Sequence, residues 1–372
     1  MTIPVIDLLD GTAGVRTSTV RWDVTSADGS PLGQLMLDKG SPPTITNDAS
    51  RPVRRTVGGL VIPARPDVDV NTMHLYADDV DPLTMRVLPV WVIEGGTTDY
   101  EYPLGKFLWV DDSEHVHSYG QPRDGELHDL CLTLDQDLDE NVGYPPGTVV
   151  SDALTAQALA AGIAADDMSI EATTIALAEP TGWAAGSDTR LTVLEGLCQV
   201  AGYLPPYFDN DGILVCRSAP DLASATVDFN YGTQSVYRLP IVLESIVRSG
   251  APLDAPNRYV AVDTGAVDVD LVGVFDVPDD APFSFANRGF RIVRTVNVQG
   301  LADQASADAA AAAAYANEPA PGAWISFSTP PDPRHDTFDV ISFDGVRYLQ
   351  RSWSLTCVDG TAMDHEAAST YA

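Results

Sequence analysis

The sequence predicts a mainly β protein in which two β-rich ends flank a small α/β segment. Apolar and polar residues alternate at Val20–Val24 and again at Val267–Leu271, with the two-residue period of a strand that has one solvated face. Between these ends, Leu191–Ala201 carries apolar residues at helical spacing, and a hairpin pattern follows it. We therefore expect three parts, covering residues 1–145, 146–235 and 236–372.

In the first part, Val20–Val24 predicts a strand that Asp28-Gly29 ends as a turn. The apolar run Met85–Ile93 predicts another strand, and residues 94–97 predict the hairpin loop after it. Tyr100–Trp109 resumes an extended pattern. The alternation of leucines in Leu130–Leu134 predicts one more strand before the middle part begins.

The middle part opens with Ser151-Asp152, which predicts the N-cap of a helix running through Leu154 and Leu159 to Ile163. Asp188 or Thr189 begins a second helix, and Gly202 ends it. The turn sequence Asp209–Gly212 lies between two short apolar runs, so it predicts a hairpin.

The last part returns to β patterns. Val267–Leu271 alternates valine with aspartate, and Phe338–Phe343 and Val346–Leu355 flank the turn Asp344-Gly345 as a second hairpin would. One helix is expected between them, at about residues 306–317, where an alanine run precedes Pro319.

Composition excludes several classes of function. The chain has 372 residues with 21 basic and 53 acidic side chains, a net charge of −32. Proteins that bind duplex DNA or anionic membranes need a basic face, so neither role is expected. The hydrophobic share of 45% predicts a globular rather than a disordered chain. We expect neither a signal peptide nor a membrane span, because a charged leader and a run of about 20 apolar residues are both missing.

The cysteines predict no disulfide framework and no redox motif. Cys131, Cys198, Cys216 and Cys357 are far apart, and no pair has the CxxC spacing. We expect four reduced, buried thiols.

Two patterns superficially suggest a metal site. His115 and His117 would point to one face of a strand, with His128 nearby, but the surrounding segment is polar and favours a solvated loop. Asp209–Gly212 resembles the start of a calcium loop, yet the twelfth position is Pro220, which has no side-chain oxygen. A hairpin turn is the simpler interpretation.

Three acidic pairs suggest glycosidase chemistry, but no more strongly than the patterns above suggest a metal site. Asp78-Asp79, Asp111-Asp112 and Asp279-Asp280 lie in polar segments, where nothing would raise a carboxyl pKa as a general acid requires. P-loop, GxGxxG, GxSxG and HExxH patterns are all missing. The sequence thus predicts no catalytic, cofactor-binding or metal-binding residues and no enzyme activity.

A series of short motifs runs along nearly the whole chain. The motifs are Pro103–Phe107, Leu132–Asp135, Arg190–Leu197, Ala201–Tyr203, Tyr207–Gly212, Ala255–Val262, Asp339–Ile341 and Trp353–Leu355. Their order resembles that of the baseplate hub, tail-associated or minor tail protein family of siphophage-like tail tips.

This resemblance implies a homotrimer in which two tail-tube-like β-barrel or sandwich domains per chain form a ring that extends the tail tube and surrounds the DNA-ejection channel. The implied partners are the distal tail protein or tail tube, the tape measure protein, a tip spike, fibre or receptor-binding proteins, and genome DNA that passes without specific binding. The implied location is the virion tail tip, with assembly in the bacterial host cytoplasm. We expect no C-terminal peptidase or lysozyme-like extension to follow, since the chain stops at Ala372, and we therefore expect a structural role.

Two alternatives stay open. A receptor- or carbohydrate-binding tail-tip protein would stack sugars on aromatic residues such as Tyr100, Tyr102, Trp109 and Trp353, although core packing also accounts for them. A cell-wall glycosidase would use paired carboxylates.

Overall fold

The computed structural model confirms the mainly β class and describes residues 18–66, 71, 73–94, 99–114, 122–233, 239–249, 255–263, 271–281, 283–298, 301, 303–317 and 319–370. Its helices are α1 Cys131–Leu134, α2 Val150–Ala160, α3 Arg190–Ala201, α4 Phe285–Arg288 and α5 Gln304–Asn317. Its strands are β1 Ser18–Ser26, β2 Pro31–Leu35, β3 Thr44–Asp48, β4 Arg55–Ile62, β5 His74–Leu75, β6 Met85–Ile93, β7 Tyr100–Pro103, β8 Phe107–Glu114, β9 Arg123–Asp129, β10 Val142–Tyr144, β11 Met168–Ile170, β12 Thr181–Trp183, β13 Tyr207–Phe208, β14 Leu214–Cys216, β15 Phe229–Tyr231, β16 Val242–Ser249, β17 Arg258–Asp263, β18 Val272–Asp276, β19 Val293–Val298, β20 Pro319–Thr329, β21 Val340–Phe343, β22 Val346–Thr356 and β23 Met363–Thr370.

One sheet of 15 strands contains strands from both ends of the chain. Its order is β16-β20-β23-β22-β3-β4-β9-β8-β6-β1-β2-β5, with β7 beside β6 and β21 between β22 and β15. Within the described residues this path has two ends, so the sheet is open and is not a closed barrel.

The two ends of the chain join where β22 pairs antiparallel with β3. Leu355 lies opposite Ile45, and Trp353 lies opposite Asn47. Trp353 and Leu355 are buried in the same apolar cluster as residues of β1, β4 and β6. The first and last predicted parts therefore share a core; their division at residues 145 and 235 stays a prediction.

The middle of the chain has its own apolar cluster, built around α2 and α3. Leu154 of α2 packs with Leu191 and Leu194 of α3, and the short sheet β11-β14-β13 contributes Leu214. Thr189 caps α3 as predicted, since its side chain accepts a hydrogen bond from the N–H of Thr192.

A separate three-stranded sheet, β18-β17-β19, packs against α5. Tyr259 and Ala261 of β17 are buried with Ala307 and Ala311 of the helix. The predicted alanine-rich helix is confirmed, and its small side chains let it lie close to this sheet.

Several local predictions were wrong. Leu130–Leu134 was predicted as a strand, but Cys131 and Leu134 are the buried residues, and their spacing of three belongs to the helical turn α1. Asp129 supports that turn, since its carboxylate accepts a hydrogen bond from the N–H of Cys131. The first helix begins at Val150, so Ser151-Asp152 lies inside it and is not its N-cap.

The same helix ends at Ala160, and therefore Ile163 lies beyond it, while Leu159 is exposed. The predicted strand β1 and the hairpins β6–β7, β13–β14 and β21–β22 are confirmed. Residues 95–97 of the predicted hairpin loop and 267–270 of the predicted strand lie outside the described residues.

All four cysteines are free, as predicted, and Cys131, Cys198 and Cys216 are buried. Cys357 is only half-buried, because it lies just after the end of β22, in a bend. Among the described helices, none is long and apolar enough to span a bilayer.

Candidate functional site

A buried polar network joins the three parts of the chain around Arg55, and we call it the junction network. The Arg55 side chain is 1% exposed. Its Nη1 donates to the carbonyl oxygen of Leu104 at 2.9 Å and to Oδ1 of Asn210 at 2.7 Å. Its Nη2 donates to Oδ1 of Asp336 at 2.8 Å, and the guanidinium lies 5.3 Å from the Trp353 ring centroid. One side chain thus holds residues from every part of the chain in a fixed arrangement.

Asp129 anchors the backbone of the same residue. Its Oδ2 accepts a hydrogen bond from the N–H of Arg55 at 2.9 Å, and Oδ1 accepts one from the N–H of Cys131 at 3.0 Å. Burial raises the pKa of Asp129 to about 6, although the nearby charge of Arg55 opposes this shift. Asp129 therefore fixes the start of β4 against the end of β9.

The hairpin turn that resembled a calcium loop contributes the middle part of this network. Oδ1 of Asp209 accepts a hydrogen bond from the N–H of Ile213 at 2.9 Å, so the carboxylate stabilises the turn itself. Asn210 at the turn tip donates its N–H to Oδ2 of Asp336 at 3.3 Å and its Nδ2 to the carbonyl of His335 at 3.0 Å. The turn docks the middle part onto the last part.

A chain of hydrogen bonds continues from there into the core of the last part. The hydroxyl of Tyr231 is 2.7 Å from Nε2 of His335, whose Nδ1 is 2.9 Å from Oε1 of Gln350. Nε2 of Gln350 is 2.9 Å from Nδ1 of His365, whose Nε2 is 2.9 Å from Oγ1 of Thr329. One proton on each imidazole satisfies every bond in this chain.

Aromatic rings surround the two histidines and exclude water from them. The His335 ring lies 3.7 Å from the Phe229 ring and 4.5 Å from the His365 ring, measured between centroids. Burial, and secondly His335, hold the pKa of His365 well below its ordinary value of 6.5. His365 is therefore neutral in the folded core.

A cavity of about 500 Å³ adjoins this network and is lined by Tyr207, Asp209, Arg217, Asp336 and Asp339 among others. Burial raises the pKa of both Asp209 and Asp339. Their carboxylates are already hydrogen-bonded within the fold, because Asp339 accepts from the N–H of Asp336 at 2.7 Å and lies 3.2 Å from Nδ1 of His335. These acids stabilise the junction, and their arrangement indicates a structural role.

The histidines singled out in the sequence do not form a site in the described residues. His115 and His117 lie outside them. His128 lies on β9, with its Nε2 2.9 Å from Oε1 of Glu126. No group of three or more His, Cys, Asp or Glu side chains in the described ranges is arranged to hold a metal ion.

The acidic pairs also lie apart from any such site. Asp79 accepts hydrogen bonds from the N–H of Tyr76 and from Arg65, so it supports a turn. Asp279 and Asp280 are exposed in a turn. For Asp111-Asp112 the structure describes the backbone of β8 and not the side chains.

The aromatic residues proposed for sugar stacking divide into two groups. Trp109 and Trp353 are 9% and 2% exposed and belong to the core shared by the chain ends, so they cannot present a ring to a sugar. Tyr100 and Tyr102 are half-buried on β7.

Sequence reasoning missed the junction network entirely. Arg55, Asn210 and Asp336 are separated by 155 and 126 residues, so no local pattern relates them. The one available signal is the position of His365 on β23, where Met363, His365 and Ala367 are buried and the residues between them are exposed.

Comparison with solved structures gives matches along nearly the full length of the chain. The tail protein from Neisseria meningitidis MC58 has a TM-score of 0.59 and 14% identity, with 94% of this chain and 96% of that chain covered. The 43 kDa tail protein of prophage MuSo2 from Shewanella oneidensis has a TM-score of 0.58 and 9% identity, covering 94% and 98%. Prophage tail protein gp18 from Listeria monocytogenes EGD-e has a TM-score of 0.56 and 10% identity, covering 94% of each chain.

Neither a protein-family model nor a curated protein matches this sequence. At these identities the likeness concerns the fold. Over nearly its whole length, the chain has the fold of phage tail proteins.

Proposed function

We propose that this chain is a structural hub protein of a phage tail tip or baseplate, without enzyme activity, that forms a homotrimeric ring extending the tail tube. The ring would surround the DNA-ejection channel and the tape measure protein. It would contact the distal tail protein or tail tube on one side and a spike, fibre or receptor-binding protein on the other. The observation that carries this proposal is the likeness to prophage tail proteins over 94% of the chain.

The open sheet supports assembly into a ring. β16 forms one end of its strand order, and Val242 and Val247 on that strand are 45% and 56% exposed. At the other end, beside β5, Met73 is 54% exposed. An exposed edge strand invites pairing with another chain, and head-to-tail contacts between unlike edges close into a ring.

The net charge of −32 suits a channel that DNA must pass without sticking. Duplex DNA carries about one charge per 1.7 Å of axis, so carboxylates on the bore would repel it. Screening over about 8 Å limits this effect to side chains near the path. Imaging of the assembled ring tests this part, and a neutral or basic bore would contradict it.

The mass of the assembled species tests the hub proposal itself. We expect three times the chain mass in solution or within a particle, and a particle image with an open conduit at the tail tip. Val247→Lys should shift the population toward monomers, because a charge on the edge strand opposes pairing. The control is Val358→Lys, where the valine is 41% exposed in a bend outside the sheet.

A strictly monomeric protein in both settings would refute the proposal. Equal effects of the two lysine substitutions would not contradict the trimer, but they would show that β16 is not part of its interface.

A further inference from the structure

The cavity beside the junction network contains three oxygen atoms that the fold does not use. Its volume is about 500 Å³, and its wall includes Tyr207, Asp209 and Asp339. Oδ1 of Asp209 and Oδ2 of Asp339 accept hydrogen bonds inside the fold. Within the described residues, the second carboxylate oxygen of each acid and the hydroxyl of Tyr207 have no hydrogen-bond partner. None of these three oxygens is fully enclosed by protein, so a molecule in the cavity can reach them.

The hydroxyl of Tyr207 lies beside the charged wall of this cavity. The residue is only 4% exposed, so its hydroxyl has little access to bulk solvent. Burial raises the pKa of the phenol, and the charge of Arg217 opposes this shift. The pKa is raised further by three nearby carboxylates, those of Asp336, Asp339 and Asp209. All four charged residues line the cavity, and buried polar groups normally have a partner. A donor on a bound molecule would supply the partner that this hydroxyl lacks.

The wall also has more negative than positive charge after its internal ion pairs are counted. Its described residues include one cation and four carboxylates, namely Arg217, Glu171, Asp209, Asp336 and Asp339. Arg55 pairs with Asp336 at 2.8 Å, and Arg217 balances one further carboxylate. Glu171 and Asp209 accept hydrogen bonds from hydroxyl or backbone N–H groups and form no ion pair with the described residues. Two acids thus remain without a cation.

These features specify the chemistry of a ligand. The unused atoms are oxygens, so the ligand must donate hydrogen bonds, and the excess of carboxylates favours a positive charge. An alkylammonium group has both properties, because it carries one charge and three N–H donors. A bare metal ion fits less well, since no group of three or more His, Cys, Asp or Glu side chains among the described residues is arranged to hold one. A guanidinium group prefers two oxygens of one carboxylate, whereas each acid here offers a single unused oxygen.

We propose that this cavity binds a primary alkylammonium group through the unused oxygens of Tyr207, Asp209 and Asp339. The side chains of Ile170 and Val215 on the same wall contact the methylene groups next to the nitrogen. The ammonium group belongs either to a small amine or to a lysine side chain of another protein. Both sources present the same chemistry, and the experiment below separates them.

This binding site goes beyond the proposed hub role and does not depend on trimer formation. Its test measures binding to the purified protein, whereas the hub proposal is tested by mass and imaging. Failure of one is therefore distinguishable from failure of the other.

The experiment is isothermal titration calorimetry with two cations of equal charge, n-butylammonium and tetramethylammonium chloride. We expect n-butylammonium to bind at least about tenfold more tightly, because tetramethylammonium has no N–H donor. A capped glycine-lysine-glycine peptide and its norleucine analogue form the second arm. If the lysine peptide binds at least as tightly as n-butylammonium and the norleucine peptide does not bind, the ligand is a partner's lysine. If n-butylammonium binds and neither peptide does, the ligand is a small amine.

One substitution tests the phenol without disturbing the fold. Tyr207→Phe removes an unused acceptor and leaves no described group without its partner, so it should weaken n-butylammonium binding by about tenfold while leaving urea denaturation unchanged. Tyr348→Phe is the matched control. Tyr348 is 7% exposed, its hydroxyl also has no hydrogen-bond partner among the described residues, and it does not line the cavity.

A second pair of substitutions tests the charge. Asp209→Asn keeps a carbonyl oxygen that accepts from the N–H of Ile213, so the turn is preserved while the charge is lost. We expect binding to weaken by about tenfold or more. Asp211→Asn is the control, because Asp211 is exposed in the same turn and lies outside the cavity wall.

Equal binding of the two cations, or no binding of either n-butylammonium or the lysine peptide, would overturn the proposal. Equal effects of the Tyr207 and Tyr348 substitutions would overturn it as well. So would calcium chloride that binds more tightly than n-butylammonium and loses its affinity in Asp209→Asn, because the cavity would then be a metal site.

Discussion

Gly273 on β18 lies so close to Ala307 of α5 that a β-carbon on the glycine would overlap the carbonyl group of the alanine. The helix and the strand approach each other backbone to backbone at this point. The alanine-rich composition of α5 and the glycine in β18 serve the same close contact.

Gly273→Ala should therefore destabilise the protein. Because the helix must move away from the sheet to admit the methyl group, we expect a loss of about 1–3 kcal/mol in the free energy of unfolding, measured by urea denaturation. Gly58→Ala is the control, since an added β-carbon there meets no atom within 4 Å. Equal stabilities for the two variants would contradict this packing.

Arg55→Met should lower the free energy of unfolding far more than Arg51→Met. It leaves the buried carbonyl of Leu104 and the partly buried acceptors of Asn210 and Asp336 without their donor, at a cost of roughly 3–5 kcal/mol. Arg51→Met removes a side chain that is 63% exposed and should cost about 1 kcal/mol or less. Denaturant titration of both variants decides the matter, and similar losses would mean that Arg55 does not hold the junction.

The raised pKa of Asp129 predicts that the stability of the protein falls as the pH rises. Its folded pKa of about 6 exceeds the ordinary value of 3.8, so its contribution to stability is complete below 3.8 and is lost as the pH rises through about 6. Relative to Asp129→Asn, the wild type should lose about 3 kcal/mol of unfolding free energy over that window. A constant difference between the two proteins from pH 3.8 to pH 6 would refute the shift.

The lowered pKa of His365 predicts the opposite pH dependence of stability. Its folded pKa lies well below 6.5, so the unfolded chain takes up a proton first and stability falls as the pH drops below 6.5. Relative to His365→Gln, the wild type should lose about 1.4 kcal/mol per pH unit in that range. Comparison with the variant is essential, because Asp129 changes stability in the other direction over the same range. A wild type that gains stability relative to His365→Gln on acidification would contradict the buried, neutral imidazole.

The sequence predicted those elements whose cause is local. Thr189 and Gly202 mark the ends of α3 because capping depends on a few neighbouring residues. Asp209–Gly212 and Asp344-Gly345 mark hairpins for the same reason. Leu130–Leu134 misled because alternating leucines imitate a strand when the residues between them, such as Cys131, are also apolar.

The junction could not be predicted because its causes are distant in the chain. Arg55 meets partners 49 to 281 residues away, and those distances follow from the sheet order and not from any motif. Phe338, two residues after Asp336, adopts a left-handed backbone with φ of 63°, a conformation that a bulky side chain rarely takes. Only the assembled fold places such residues together.

The pairing of β22 with β3 has a consequence for biosynthesis. The ribosome completes β3 about 300 residues before it completes β22, so the nascent chain carries an unpaired strand edge for most of its translation. Closing such a long loop is slow. The interval before release from the ribosome is therefore when this protein is most exposed to aggregation and most dependent on chaperones.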